Sequence, residues 1–213
     1  MQGVWKVVTS TCQSVPGLQN EILRFLYKYE AMISKKKIFC LNDPTPKKKI
    51  LIFGPSLNAV SGVSTHLRLL FNSDLSNDFH LAHFQVGSEG RIEKRYEKLW
   101  RILFSPIQLF LTILRTQPDI VHLNTSMNPK AFWRDMLYLL ISSVLGRKII
   151  FQVHGGEMPQ TFFHGRQTFR LLLGKMLWTP DAVVVISKLA HRAYQAFSPT
   201  KNLVMIPNAI DFE

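Results

Sequence analysis

Acidic side chains are scarce in this chain, cysteine is nearly absent, and no apolar run is long enough to cross a bilayer. The 14 Asp and Glu face 26 Lys and Arg, a formal net charge of +12. Such an excess favours anionic partners: nucleic acid, anionic lipid or phosphorylated substrates. The only cysteines are Cys12 and Cys40, too few for a disulfide framework or a thiolate zinc site, so a reducing compartment is the default. The most apolar stretch, Ile102–Leu114, is shorter than the ~20 residues of a span and is interrupted by Pro106. Met1–Val15 has no continuous apolar segment of the secretory kind. Together these point to a cytoplasmic protein, soluble or peripheral at the inner face of a membrane.

Several catalytic signatures are also missing. There is no Walker A string, no G-x-G-x-x-G fingerprint and no H-E-x-x-H metal spacing among the seven histidines. A serine-hydrolase elbow is absent too, since Gly62-Val-Ser-Thr-His66 and Gly87-Ser-Glu-Gly90 both depart from G-x-S-x-G. No helix-turn-helix, zinc or RRM pattern accompanies the charge, so nucleic acid is not the expected partner.

What is present is an ordinary globular composition, 46% hydrophobic and 19% charged. Residues 1–48 read as a basic, partly helical extension. Leu18, Ile22, Phe25, Leu26, Tyr29, Met32 and Ile33 recur at helical spacing, and Lys35–Lys37 and Lys47–Lys49 concentrate charge. Asn42–Pro46 reads as a linker. From Lys49 the pattern alternates strand and helix. Strands are expected at Ile50–Phe53, His80–Val86, Ile120–Asn124, Ile149–Val153, Ala182–Ile186 and Leu203–Ile206. Ser61 caps one helix, whose inner face reads as Val63, Leu67, Leu70 and Phe71. Arg91–Phe104 is a second. Ser105-Pro106 signals a new helix that stops by Pro118, and Asn128-Pro129 starts another that ends at Gly146. Two more cover about 166–177 and Lys188–Phe197. Strands apolar throughout, separated by helices, imply an α/β fold: a single doubly wound, Rossmann-like domain with a parallel sheet, spanning 49–206.

Polar residues gather where the strands end. The first strand leads to Ser61-Gly62, the third to Asn124-Thr125, the fourth to His154-Gly155-Gly156-Glu157 and the fifth to Ser187. In a parallel sheet these ends share one edge, where ligands bind. A titratable His154 followed by two glycines is the leading candidate for chemistry. His122 falls inside a strand and reads as a hydrogen-bonded core histidine.

Taken in order, the motifs resemble the N-terminal domain of GT-B glycosyltransferases, in particular the large retaining group classed as family 4. The points of resemblance are Ile50–Gly54 with Ser61-Gly62-Val63 and His66, Pro118–Asn124, Ile149–Gly155, Pro180–Ser187 and Ile206–Asp211. They cover about residues 49–211. The resemblance implies a nucleotide-sugar donor, as a substrate rather than a cofactor, and a glycan or lipid-linked acceptor held mainly by this domain. It implies no metal and no other cofactor. His154 would lie at the transferred sugar, Ser61, Gly62 and Gly155 near the donor phosphates, and Asn124, Thr125, Glu157 and Ser187 along the acceptor cleft. The family usually places two glycines where Ser61-Gly62 stands.

Pro207–Asp211 corresponds to the family's hinge, which makes residues 207–213 the start of a link to a C-terminal domain. The expectation is therefore an incomplete enzyme, inactive alone: a truncated reading frame, one subunit of a split transferase with a separate C-terminal half, or an excised domain. The alternative expectation is a non-catalytic acceptor-binding or scaffold module. Arg91, Lys94, Arg95, Lys98 and Arg101 accompany Trp100, Phe104 and Phe110, a pattern that suits an anionic membrane surface as well as a core-packing helix.

Overall fold

The computed structural model describes residues 46–197 and 202–207. The helix expected over 18–33, both cysteines, the first lysine triplet and most of the hinge motif lie outside the described residues. Nearly everything described belongs to one compact unit, Lys47–Met205.

Thirteen elements follow one another in it: β1 (Lys49–Gly54), α1 (Gly62–Phe71), α2 (Leu75–Asp78), β2 (His80–Gln85), α3 (Arg95–Thr116), β3 (Ile120–Met127), α4 (Pro129–Val144), β4 (Lys148–Gly156), a 3-10 turn (Phe162–Gly165), α5 (Gln167–Trp178), β5 (Ala182–Val185), α6 (Lys188–Phe197) and β6 (Leu203–Met205). All strand pairings are parallel, in the order β2-β1-β3-β4-β5-β6. The expected doubly wound α/β architecture is the one observed. The order reverses between β1 and β3, so their carboxyl ends flank a topological switch point.

One sheet face carries Leu51, Phe53, Val121, Leu123, Phe151, Val153, Val183 and Val185, packed with residues of α3 to α6 such as Leu109, Phe132, Leu173 and Tyr194. On the other face the apolar run is broken by His122 and Gln152, which bond to each other at 3.0 Å. His122 is thus the hydrogen-bonded strand histidine expected. Above it α1 buries Ser64, His66, Leu67 and Leu70. Its inner face is rotated from the expected one: Val63 and Phe71 are only half-buried.

The Pro-Asp pairs before β3 and β5 have a structural role. Asp119 Oδ2 accepts the amide of Lys49 at 2.8 Å, and Asp181 Oδ2 accepts that of Ile149 at 2.9 Å. Each carboxylate thereby pairs an amide at the start of the neighbouring strand and pins the register.

Two local readings change. The break expected at Ser105-Pro106 does not occur, and α3 runs through it as one helix. Pro106 cannot donate to the Ile102 carbonyl, but the Ser105 hydroxyl does so at 3.4 Å, and Tyr138 Oη donates to Ser105 Oγ at 2.8 Å. Side-chain bonding replaces the missing backbone donor. The glycines after His154 also part company. Between Thr125 and Met127 the β3–β4 register shifts, so β4 carries a bulge at His154-Gly155. Gly156 (φ 104°) is pressed on the β3 backbone, where a Cβ would sit 2.2 Å from the Met127 carbonyl oxygen. Gly155 (φ 137°) has open space instead.

Gly156→Ala should therefore destabilise the domain by at least ~1–3 kcal/mol, from strained φ plus steric overlap. Urea unfolding of the two proteins checks this, with Gly155→Ala, which meets only the φ penalty, expected to cost less.

Candidate functional site

Asn124, near the carboxyl end of β3, is 4% exposed and faces two strands at once. Its Nδ2 donates to the Phe53 carbonyl of β1 at 2.9 Å, and its Oδ1 lies 2.8 Å from His154 Nε2 of β4. The amide's orientation is set by the carbonyl, because only its NH₂ end can donate there. Oδ1 must then accept, so Nε2 of His154 carries the proton and Nδ1 the lone pair in the neutral ring. His154 itself is half-buried, and the bulge and Gly155 set where its ring points.

The His154 ring meets a second imidazole edge-on. His66 of α1 lies with its ring centroid 4.8 Å away, 3% exposed. Both His66 nitrogens are buried and unpartnered among the described residues. Burial pulls its pKa down to about 4. His122 is pulled to about 4 as well, by burial and then by the nearness of His66, against the opposing bond from Gln152. Two neutral imidazoles thus lie beneath the His154 edge. His66 was not singled out as a site residue on sequence. The available signal was its helical spacing beside Leu67 and Leu70, which places it inward.

The start of α1 stands beside this cluster. Ser61 Oγ accepts the Ser64 amide at 3.3 Å, and the Ser61 carbonyl accepts that of Thr65 at 3.0 Å. Of the first helical amides, those of Gly62 and Val63 are left to point outward. Gly62 has nothing within 4 Å of where a Cβ would be, so a ligand can approach its backbone. The serine in place of a glycine costs one amide of the potential anion cradle and fixes the cap.

A cavity of about 600 Å³ opens at the switch point, of the size that ligand pockets have. Asn124, Thr125 and Ser126 form its floor, and α3 and α4 its sides. Lys98, Arg101, Lys130 and Arg134 line it against Glu89, leaving it cationic. Arg101 is held by Glu93 at 3.1 Å and donates to Ser88 Oγ at 2.8 Å. Arg134 is held by buried Asp135 at 2.7 Å. Burial raises the Asp135 pKa against the opposing pull of Arg134 and of the Thr125 hydroxyl, which donates to it.

The expected site residues fall in three groups. His154 and Asn124 are in direct contact, with Gly155 adjoining, and Ser61-Gly62 begins the helix that brings His66 to them. Asn124 and Thr125 both line the cavity, but Thr125 is committed to Asp135 and α4 rather than to the histidines. Glu157 and Ser187 are exposed, on the same sheet edge, outside the cavity. Ser187 Oγ accepts the Ala190 amide at 3.1 Å and so caps α6. The Asp135–Arg134 pair was missed. An acid next to a base within an apolar helix was its only mark.

The model of a family described as Glycosyltransferase Family 4 matches residues 62–213. No curated protein matches the chain.

Two outcomes test this geometry. Nitrogen-15 imidazole spectra of the neutral ring should show His154 as the Nε2–H tautomer, and Asn124→Ala should convert it to a tautomeric mixture. Acid should also destabilise the domain. His66 is harder to protonate folded than unfolded, so its contribution is complete above its ordinary pKa of 6.5 and is lost as pH falls toward about 4. The full loss is about 3 kcal/mol for one such site. Urea midpoints measured from about pH 7.5 down to about pH 4.5 should fall, and His66→Leu should flatten the slope.

Proposed function

The chain belongs to glycosyltransferase family 4, and on that premise we propose that it transfers a sugar from a nucleotide-sugar donor to a glycan or glycolipid acceptor, with retention at the anomeric carbon and without a metal ion. The observation that carries the reading is the contact of His154 with Asn124 at the switch point, within the matched region.

In this reading His154 meets the transferred sugar. Its Nε2–H is committed to Asn124, and the exposed part of the half-buried ring packs against the sugar and steadies the oxocarbenium-like transition state. The outward amides of Gly62 and Val63 take part of the leaving diphosphate, since helix-start amides carry partial positive charge. The cationic cavity holds the acceptor, with Arg134 and Arg101 fixed by their acidic partners before it arrives. Such preorganisation lowers the cost of orienting a polar substrate. Glu157 and Ser187 mark the rim. A facing donor-binding domain, continuous with this chain or separate, completes the cleft.

His154→Ala should reduce transfer by ~100-fold or more, the scale of one preorganised transition-state contact, while circular dichroism shows the fold kept and the stability read from urea unfolding falls only by the ~1–3 kcal/mol that buried Asn124 loses with its partner. The assay is sugar release and transfer from a panel of nucleotide sugars, using the protein together with its membrane fraction. Unchanged turnover would remove His154 from the mechanism.

A further inference from the structure

Helix α3 is amphipathic in the reverse of the usual sense. Its buried residues are Ser105, Leu109 and Ile113. Tyr96, Trp100, Leu103, Ile107, Phe110 and Leu114 recur at alternating steps of four and three, and each is 42–58% exposed. At about 100° per residue this stripe lies opposite the buried one. Leu99, Phe104 and Leu111, also exposed, widen it. Helix α4 repeats the arrangement with Trp133, Leu137, Leu140 and Val144, 40–76% exposed. The two helices pack together, and the switch-point cavity opens between them, lined by Ile102 and Pro106 from one and Trp133 and Leu137 from the other. Exposed apolar surface on this scale marks an interaction site.

Charge selects the occupant. Residues 91–116 carry six Lys and Arg and two Glu, with cations at both ends of the stripe. Glu93 is paired with Arg101 and Glu97 accepts the Lys94 amide at 2.8 Å; six cations less two carboxylates leave this stretch at +4. A second copy would bring like charges together across the seam, under a net charge of +12. The arc is also wider than the two-per-heptad seam of a helix pair. Broad apolar faces with aromatic members and basic flanks suit the interface of an anionic bilayer. None of the helices described is long and apolar enough to cross a membrane, so such a face would lie on the surface.

We propose that the outward faces of α3 and α4 seat on an anionic lipid bilayer, so that the switch-point cavity opens onto the membrane and takes an amphiphilic acceptor from it. The docking stands independently of sugar transfer; the entry of the acceptor from the bilayer rests on the glycosyltransferase reading. An amphiphile fits because its polar head meets Arg101 and Arg134 while its apolar part stays among Ile102, Trp133 and Leu137.

The test is co-sedimentation of the full chain with vesicles of phosphatidylcholine, alone or with about 30 mol % phosphatidylglycerol. Binding to the anionic vesicles, weakened by salt and far lower on neutral ones, is expected. The triple variant Leu103→Glu, Ile107→Glu, Phe110→Glu should bind about 100-fold more weakly. All three side chains are exposed, and circular dichroism with urea unfolding verifies that the fold is kept. Leu140→Glu on α4 should weaken binding in the same direction. Absence of binding, or equal binding by the triple variant, overturns the proposal. So does a dimer in vesicle-free solution that the triple variant splits into monomers, which would assign the face to a second copy. Vesicle binding without sugar transfer from any nucleotide sugar, even when the membrane fraction and a facing donor-binding domain are supplied, would leave the docking face standing and remove the sugar-transfer reading. Transfer to a water-soluble acceptor without vesicle binding would do the reverse.

Discussion

The buried carboxamide of Asn124 is the constraint on which the site depends. It joins the ends of β1, β3 and β4 through two side-chain hydrogen bonds, to the Phe53 carbonyl and to His154. A buried amide with an unmade bond costs ~1–3 kcal/mol, so both partners are held as firmly as they hold it. The Phe53 carbonyl fixes which end of the amide faces His154. That choice fixes the tautomer of the neutral ring and the direction in which the ring is held. The same residue forms part of the cavity floor. The histidine cluster and the cavity are therefore mechanically joined at one side chain.

The sheet was legible because its strands are apolar on both faces and bounded by turn residues, a pattern open to few other readings. The strand-end position of His154, Asn124 and Ser187 followed from that alone. What each polar group faces did not. Thr125 follows Asn124 directly, yet strand alternation sends it to Asp135 and α4. Gly155 and Gly156 are identical in sequence terms. Only the bulge in β4 decides that one has open space and the other abuts Met127. Pro106 looked like a helix start because the compensating hydroxyl of Ser105 depends on Tyr138, 33 residues away.

Periodicity carries a further ambiguity that α3 exposes. A 3.6-residue repeat of apolar side chains says that one face differs from the other; it does not say which face is inward. Ordinary helices resolve this by burying the larger apolar stripe. In α3 the domain core takes Leu109 and Ile113 with Ser105, and the richer stripe faces outward. On that inward face α4 meets α3 at Ser105, which accepts from Tyr138 Oη.

The electrostatics of the edge divide along the same line. Beneath His154 the histidines are kept neutral: burial holds His66 and His122 at about 4. The partner of His154 is an amide rather than a carboxylate, which would favour the imidazolium. Under the glycosyl-transfer reading this matters, because positive charge develops on the sugar ring in the transition state and a cation beside it would oppose the reaction. The negative charge that develops on the leaving diphosphate needs the opposite environment. The outward amides at the start of α1 offer part of it without a titratable group. In the cavity the cationic side chains Arg101 and Arg134 are each tied to an acid. A low-dielectric site strengthens every such interaction, favourable or not. Separating neutral imidazoles from guanidinium groups, with Asn124 as the boundary, lets one sheet edge tolerate both signs of developing charge.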